Sequence, residues 1–239
     1  MRLRLRLSPN TEPVPFDYQH DLTRAFWRWV KQGKEHDETS LYSLSFLTGG
    51  HAVHPRPTEP GVSTRRAKQE PPTLDFPEGA EWTISGPHPD LHRRLMRGVM
   101  ADPRVGWGMR VNEVREEPLP DMGTLQRFRV NGAVLVRAER EDERQDHLLW
   151  DDPRADDALT RVFRWKLHLA GRDDLARSAE MRFDRTYGGA RSKLVTIKGL
   201  RFRCSECPVL VHGDPEAVAF AYLVGAGELT GSCLGALTL

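Results

Sequence analysis

Gly225-Ala226-Gly227-Glu228-Leu229-Thr230-Gly231-Ser232-Cys233-Leu234-Gly235-Ala236-Leu237-Thr238-Leu239 is the stretch on which the reading of this chain turns. Asp214-Pro215-Glu216 opens a helix ahead of it, with Asp214 as N-cap and Pro215 in the first helical position, and the helix runs through Val224. The glycine-rich loop 225–235 therefore leaves a helix and enters an apolar strand over 234–239. Glycines let backbone N–H groups come close to an anion or to another backbone. A Walker loop is excluded because no Gly-Lys-Ser/Thr follows, and a dinucleotide fingerprint because that loop starts a helix. Two readings stay open: a tight helix-to-strand turn, or a backbone cradle.

Working outward, element order is the next guide. Arg2 to Leu7 alternates Arg and Leu, which predicts a half-buried strand with a cationic open face. From Asp17 to Val30 the spacing turns helical, with Leu22, Phe26, Trp29 and Val30 apolar and His20, Arg24, Arg28 and Lys31 as a separate polar stripe. Strands are expected over 41–47, 81–85 and 105–114, with a helix over 90–100 that leaves His92 exposed. The stretch 49–79 is rich in Pro and Gly and predicts a long structureless insertion carrying Arg65, Arg66 and Lys68. A linker is expected near 117–123. The order then repeats: strand 128–138, helix 156–170, strand 179–184, one or two strands over 193–211, the capped helix and the closing strand. Two successive strand–helix–strand–strand–helix–strand halves predict an α+β chain of two tandem ferredoxin-like (RRM-like, βαββαβ) domains, 1–120 and 121–239.

Composition bounds the partners. The 239 residues carry 35 basic and 34 acidic side chains, a formal net charge of +1, so no global excess announces a polyanion partner. Basic and acidic surfaces would have to segregate for nucleic acid to bind, and the acidic run 139–146 would then sit away from it. No stretch approaches a membrane span, and the alternating N-terminus is unlike a signal peptide. With only three cysteines no disulfide framework is expected. The expectation is a cytoplasmic protein with no membrane contact.

With this order and this loop, the chain resembles the RAMP superfamily of CRISPR-associated proteins, and within it the endoribonuclease that cuts the CRISPR repeat transcript. Gly225, Gly227 and Gly235 fall on that family's loop pattern. Cys233 stands where a glycine is usual, and Gly231 is additional. The resemblance implies metal-independent cleavage of the repeat at the base of its hairpin. The 2′-OH attacks the adjacent phosphorus and leaves a 2′,3′-cyclic phosphate and a 5′-OH. No cofactor is needed. It also implies retention of the guide RNA's 3′ hairpin beside other CRISPR effector subunits. A non-catalytic RAMP subunit that only grips RNA is the alternative.

Histidine suits the proton work because its pKa lies near neutrality. Of nine histidines, His36 follows the first helix by a short polar turn, where the family commonly carries its catalytic His. Glu35 and Asp37 flank it in place of the usual Leu and Gly, and the other reading is a linker histidine. His20 is the second candidate. Arg24 and Arg28 beside it could clamp the scissile phosphate or form a solvated helix face. Tyr18 carries over from the family as a residue orienting the 2′-OH. For RNA grip, Arg191, Lys193, Lys198, Arg201 and Arg203 form a candidate basic surface for an A-form stem, with Gly225, Gly227, Gly231 and Gly235 at the loop; the other reading is an amphipathic strand's exposed face. Cys204, Cys207, His212 and Cys233 invite a zinc-dependent regulator, but only one ligand pair has metal spacing, so buried cysteines are expected and no metal site.

Overall fold

A computed structural model describes residues 1–30, 39–54, 71–139 and 145–239. The first half is organised around strand Arg2–Leu7. Leu3, Leu5 and Leu7 point into a core with Leu22, Phe26 and Trp29 of helix Gln19–Val30 and Leu95 of helix Pro89–Ala101. Its sheet runs in the order Ser43–Leu44, Glu81–Ser85, Arg2–Leu7, Val111–Glu117, every neighbour antiparallel. The second half repeats that order: Glu180–Phe183, Val209–His212, Leu125–Asn131, Ala236–Thr238, again antiparallel. Helices Ala155–Leu169 and Pro215–Val224 supply its crossovers. Both halves are thus ferredoxin-like, with the second, third, first and fourth strands side by side. No described helix is long and apolar enough to cross a membrane.

Each half accepts extra chain between its second and third strands. In the first, Thr73–Asp75 pairs with His51–Val53 on one side and with Val14–Pro15 on the other, so the expected structureless insertion supplies two strands of a small three-stranded sheet where it is described. In the second, a hairpin of Arg191–Ile197 and Leu200–Glu206 turns on Lys198-Gly199, both at positive φ, as two-residue hairpin loops require. Its Val195, Ile197 and Cys204 are buried in the first half's core.

Several expected boundaries move for identifiable reasons. The regular pairing expected over 41–47 narrows to Ser43–Leu44, beyond which Thr48 bridges Glu81. The strand expected at 105 begins at Val111, because Val105 closes a turn by donating to the Met109 carbonyl. The strand expected over 128–138 stops at Gly132, which sits at φ +99. Arg2 leaves the cationic face altogether. Its guanidinium is buried, bonds Glu117 (2.9 Å) and the Leu237 carbonyl (2.8 Å), and lies over the Tyr222 ring. His92 is likewise buried, its Nδ1 3.0 Å from the His88 carbonyl oxygen.

The glycine-rich loop 225–235 is buried between the halves. The Ala226 amide donates to the Gly235 carbonyl at 2.8 Å, the Gly235 amide to Ala133 at 2.8 Å, and the Glu228 amide to Leu135 at 2.9 Å. Gly235 sits at φ +65, and a methyl group there would overlap the Ala226 carbonyl oxygen. Gly235→Ala is expected to lose about 3 kcal/mol of unfolding free energy in urea. Gly188→Ala, at a position with open space around it, should stay within about 0.5 kcal/mol. Equal losses would mean that the loop is not held by close backbone approach.

Candidate nucleic-acid interface

The tail loop meets the first helix. Thr23 Oγ1 donates to the Gln19 carbonyl at 2.9 Å and lies 3.4 Å from the Gly231 carbonyl oxygen, and the Cys233 thiol donates to the Gln19 carbonyl (3.8 Å). A side chain at Gly231 would run into Ser40 and Tyr42, and Thr230 Oγ1 donates to the Tyr42 carbonyl at 2.8 Å. The two ends of the chain that carry the resemblance therefore form one corner.

The candidate residues fall into distinct places. Arg24 stands on that helix with its side chain 71% exposed, 3.5 Å from Asp21. His20 is half-buried and its Nδ1 has no hydrogen-bond partner among the described residues. Arg28 is committed elsewhere: it donates to the Arg104 carbonyl and lies 3.4 Å from Asp102. Tyr18 is a core residue. Its hydroxyl accepts from the Leu47 amide at 3.1 Å, its ring packs edge-on against Phe46 and Trp107, and burial pushes its pKa well up. The Tyr18 hydroxyl keeps its own proton to donate, and the residue lines a small cavity with Phe46 and Lys193. His36 and Lys31 lie outside the described residues, as do Arg65, Arg66 and Lys68. Gly225, Gly227, Gly231 and Gly235 are buried against the protein's own backbone and side chains, so close packing is their visible role.

The basic hairpin does not present one strip. Cross-strand partners share a face, and the register pairs Arg191 with Glu206 and Lys193 with Cys204, but Leu194 with Arg203 and Thr196 with Arg201. Arg191 and Lys193 thus point one way, Arg201 and Arg203 the other, and Lys198 caps the turn. Arg191 and Lys193 both reach Glu206, Lys193 at 2.6 Å. Burial works against the Glu206 carboxylate, but these two cations hold its pKa below the usual range.

Arg191 and Lys193 line a cleft of about 870 Å³, together with Arg127, Arg129, Phe46 and Tyr187. Arg127 and Arg129 alternate with Phe128, which points into the second core, so both stand on the sheet's open face. Arg127 bonds Asp184 at 2.6 Å and lies over the Tyr187 ring, 5.5 Å from its centroid. Arg129 has no counter-ion among the described residues. Cations along a groove, with an aromatic ring at its rim, are what single-stranded nucleic acid binds. The sequence reading missed Arg127, Arg129 and Tyr187, although the alternation Arg127-Phe128-Arg129 carries the same pattern that revealed the first strand.

The cysteines divide between the cores, Cys204 and Cys233 in the first and Cys207 in the second. Burial pushes the thiols up, Cys204 to about 12 and Cys207 to about 11. The described residues contain no group of three or more His, Cys, Asp or Glu able to hold a metal ion.

No protein-family model and no curated protein matches this chain. Its fold does match solved structures end to end. "An RAMP protein binding different RNA substrates" superposes with a TM-score of 0.79 at 17% identity, over 100% of this chain and 99% of that one. The product of a Cas6-related gene from Pyrococcus furiosus gives 0.78 at 16%, over 100% and 97%. A CRISPR associated protein Cas6 gives 0.76 at 19%, over 100% and 98%. The chain has the Cas6/RAMP fold. At these identities the likeness is one of fold, and it includes the tandem ferredoxin-like halves.

Within this Cas6-like fold the glycine loop is pinned by a buried lysine. Lys166 Nζ, on helix Ala155–Leu169, donates to the Val224 carbonyl (3.1 Å), the Gly225 carbonyl (3.4 Å) and Thr230 Oγ1 (3.2 Å). Burial pulls its pKa down from 10.5 to about 7, against the opposing pull of Glu228. Between those two values the unfolded chain holds a proton that the folded chain releases, so this group's contribution to stability rises with pH from about 7 to 10.5. Lys166→Met should remove that slope from the pH dependence of thermal unfolding. Identical pH profiles for the two proteins would show that Lys166 does not titrate there.

Proposed function

We propose that the protein binds CRISPR repeat RNA and cuts it by attack of the RNA's own 2′-OH. The reaction asks the protein for four things: alignment of the 2′-oxygen with the phosphorus and the leaving 5′-oxygen, removal of the 2′-proton, delivery of a proton to the 5′-oxygen, and stabilisation of phosphoryl charge. As the P–O5′ bond breaks, a 2′,3′-cyclic phosphate remains on one product and a 5′-OH on the other. His36 is assigned the proton transfer from its position after the first helix. Arg24, helped by His20, is assigned the phosphate. The cleft of Arg127, Arg129, Arg191 and Lys193 holds the single-stranded flank, and Arg201 and Arg203 on the hairpin's other face are left for a stem. After cutting, the protein keeps the 3′ stem-loop beside other effector subunits.

The observation that carries this reading is the corner where the first helix packs on the tail loop, with Thr23 Oγ1 3.4 Å from the Gly231 carbonyl oxygen and the Cys233 thiol donating to Gln19. The helix packed there carries the exposed Arg24, in a chain of Cas6/RAMP fold. The second reading, an RNA-gripping subunit without cleavage, draws on the basic cleft alone and on the fold shared with the RAMP protein described as binding different RNA substrates.

Purified protein with repeat RNA in EDTA should cut the natural strand and leave one with a 2′-deoxy at the cut site intact. His36→Ala should slow cutting about 100-fold or more, and Arg24→Ala by a similar order. Tight binding to both RNAs with no cutting favours the second reading. Normal rates in both variants would overturn the assignment of the site. In the cleft, Arg129→Ala should lower the slope of log affinity against log salt by about 0.7 for a single-stranded repeat. An unchanged slope would remove Arg129 from the interface.

A further inference from the structure

Trp165 is a large aromatic side chain 49% exposed on the helix that carries Lys166. It walls a recess of about 280 Å³ shared with Val162, Ser40, Arg137, Leu229 and Lys166. Helix Ala155–Leu169 covers the sheet face to which Phe128 points, whereas Arg127 and Arg129 stand on the opposite face, so this recess is separate from the basic cleft. It adjoins the corner instead. Ser40, one of its walls, lies against Gly231, whose carbonyl oxygen is 3.4 Å from Thr23 Oγ1 of the first helix.

We infer that Trp165 is a stacking platform for one unpaired nucleobase of the RNA beside the cut. The inference rests on the functional reading above and deepens it. An A-form strand keeps its bases stacked and its 2′-oxygen out of line with the leaving oxygen. Cutting therefore requires a nucleotide at the break to unstack. The lost base–base stacking has to be replaced, and an exposed indole does so for any base, because every base has a π-face.

Three features favour a base over a protein segment. Beside the apolar Val162 and Leu169, Trp165 also has Arg161 and His168 at helical spacing, one turn before and one turn after. Arg161 has no counter-ion among the described residues and suits a phosphate next to the stacked base. Beside the apolar Val162 and Leu229, the recess offers polar and charged groups, the Ser40 hydroxyl and the Arg137–Glu228 ion pair, in which Arg137 Nε lies 2.8 Å from Glu228 Oε2. The third feature is strain. Leu229 holds the left-handed conformation at φ 53 and ψ 34, which a bulky residue rarely adopts, and its side chain forms part of the wall. The Ser232 amide donating to its carbonyl at 2.8 Å locks that turn. The loop pays for a shape that keeps the recess open.

The test uses the full-length protein and a set of repeat RNAs, each with 2-aminopurine at one position around the cut. One unpaired position should be quenched on binding to the wild-type protein, and Trp165→Ala should abolish that quenching while weakening affinity roughly 10-fold. Trp165→Phe, which keeps a ring, should retain most of both. Removing that base to leave an abasic site should weaken wild-type binding by the same factor and leave Trp165→Ala binding unchanged, a coupling that a merely structural tryptophan would not produce. Persistent quenching in Trp165→Ala, or equal abasic penalties in the two proteins, overturns the inference and leaves Trp165 to a protein contact. A wild-type protein that fails to bind the repeat at all overturns the functional reading and this inference with it.

Discussion

The structure depends on how closely the backbone of the tail loop can approach its neighbours. The Ala226 amide donates to the Gly235 carbonyl, the Gly235 amide to Ala133 and the Glu228 amide to Leu135, at 2.8 to 2.9 Å. Only residues without a Cβ fit at Gly227 and Gly235, where a side chain would overlap backbone carbonyls. That tight seam lets Cys233 and Leu234 fill the first core while Ala236–Thr238 closes the second sheet. Loosening it by the width of a methyl group would part the first helix from the loop, and the corner would cease to exist.

On this seam the two halves divide the surface between them. The first half contributes its Arg24-bearing helix and the Ser40–Tyr42 segment. The second contributes Lys166, Trp165 and the open sheet face with Arg127 and Arg129. The inserted hairpin joins them, since Val195 and Ile197 belong to the first core while Arg191 and Lys193 reach back to the cleft. A chain of net charge +1 has local basic surface in this way because Arg127, Arg129, Arg191 and Lys193 line the cleft against the single carboxylate Glu206, with Asp184 paired to Arg127.

What was legible in the sequence was local. Asp214 does cap its helix, accepting from the Glu216 amide at 2.8 Å, because an N-cap is decided within three residues. The alternation of Arg2 to Leu7 marks a true strand for the same reason. Both ferredoxin-like halves could be read from element order, although each contains an insertion. What escaped depends on partners distant in sequence. Arg2 looks like its neighbours Arg4 and Arg6 until Glu117 and Leu237 are seen on it. The burial of Tyr18 is invisible until Leu47 and Trp107 are seen against it. The hairpin's cations look like one strip until the Lys198-Gly199 turn sets the register that splits them. Arg127 and Arg129 were within reach of the alternation argument, and only their lower contrast concealed them.

The hydrogen bond from Arg2 to Leu237 spans 235 positions of the chain, and the first core borrows Val195, Ile197, Cys233 and Leu234 from its far end. As the ribosome delivers the polypeptide, the segment from Arg2 can form its sheet and helices early, but its interior stays unsealed until Cys233, Leu234 and Leu237 have been made. Until then a nascent chain of this architecture keeps apolar side chains uncovered. Its demand for chaperones would therefore persist until the glycine-rich segment emerges.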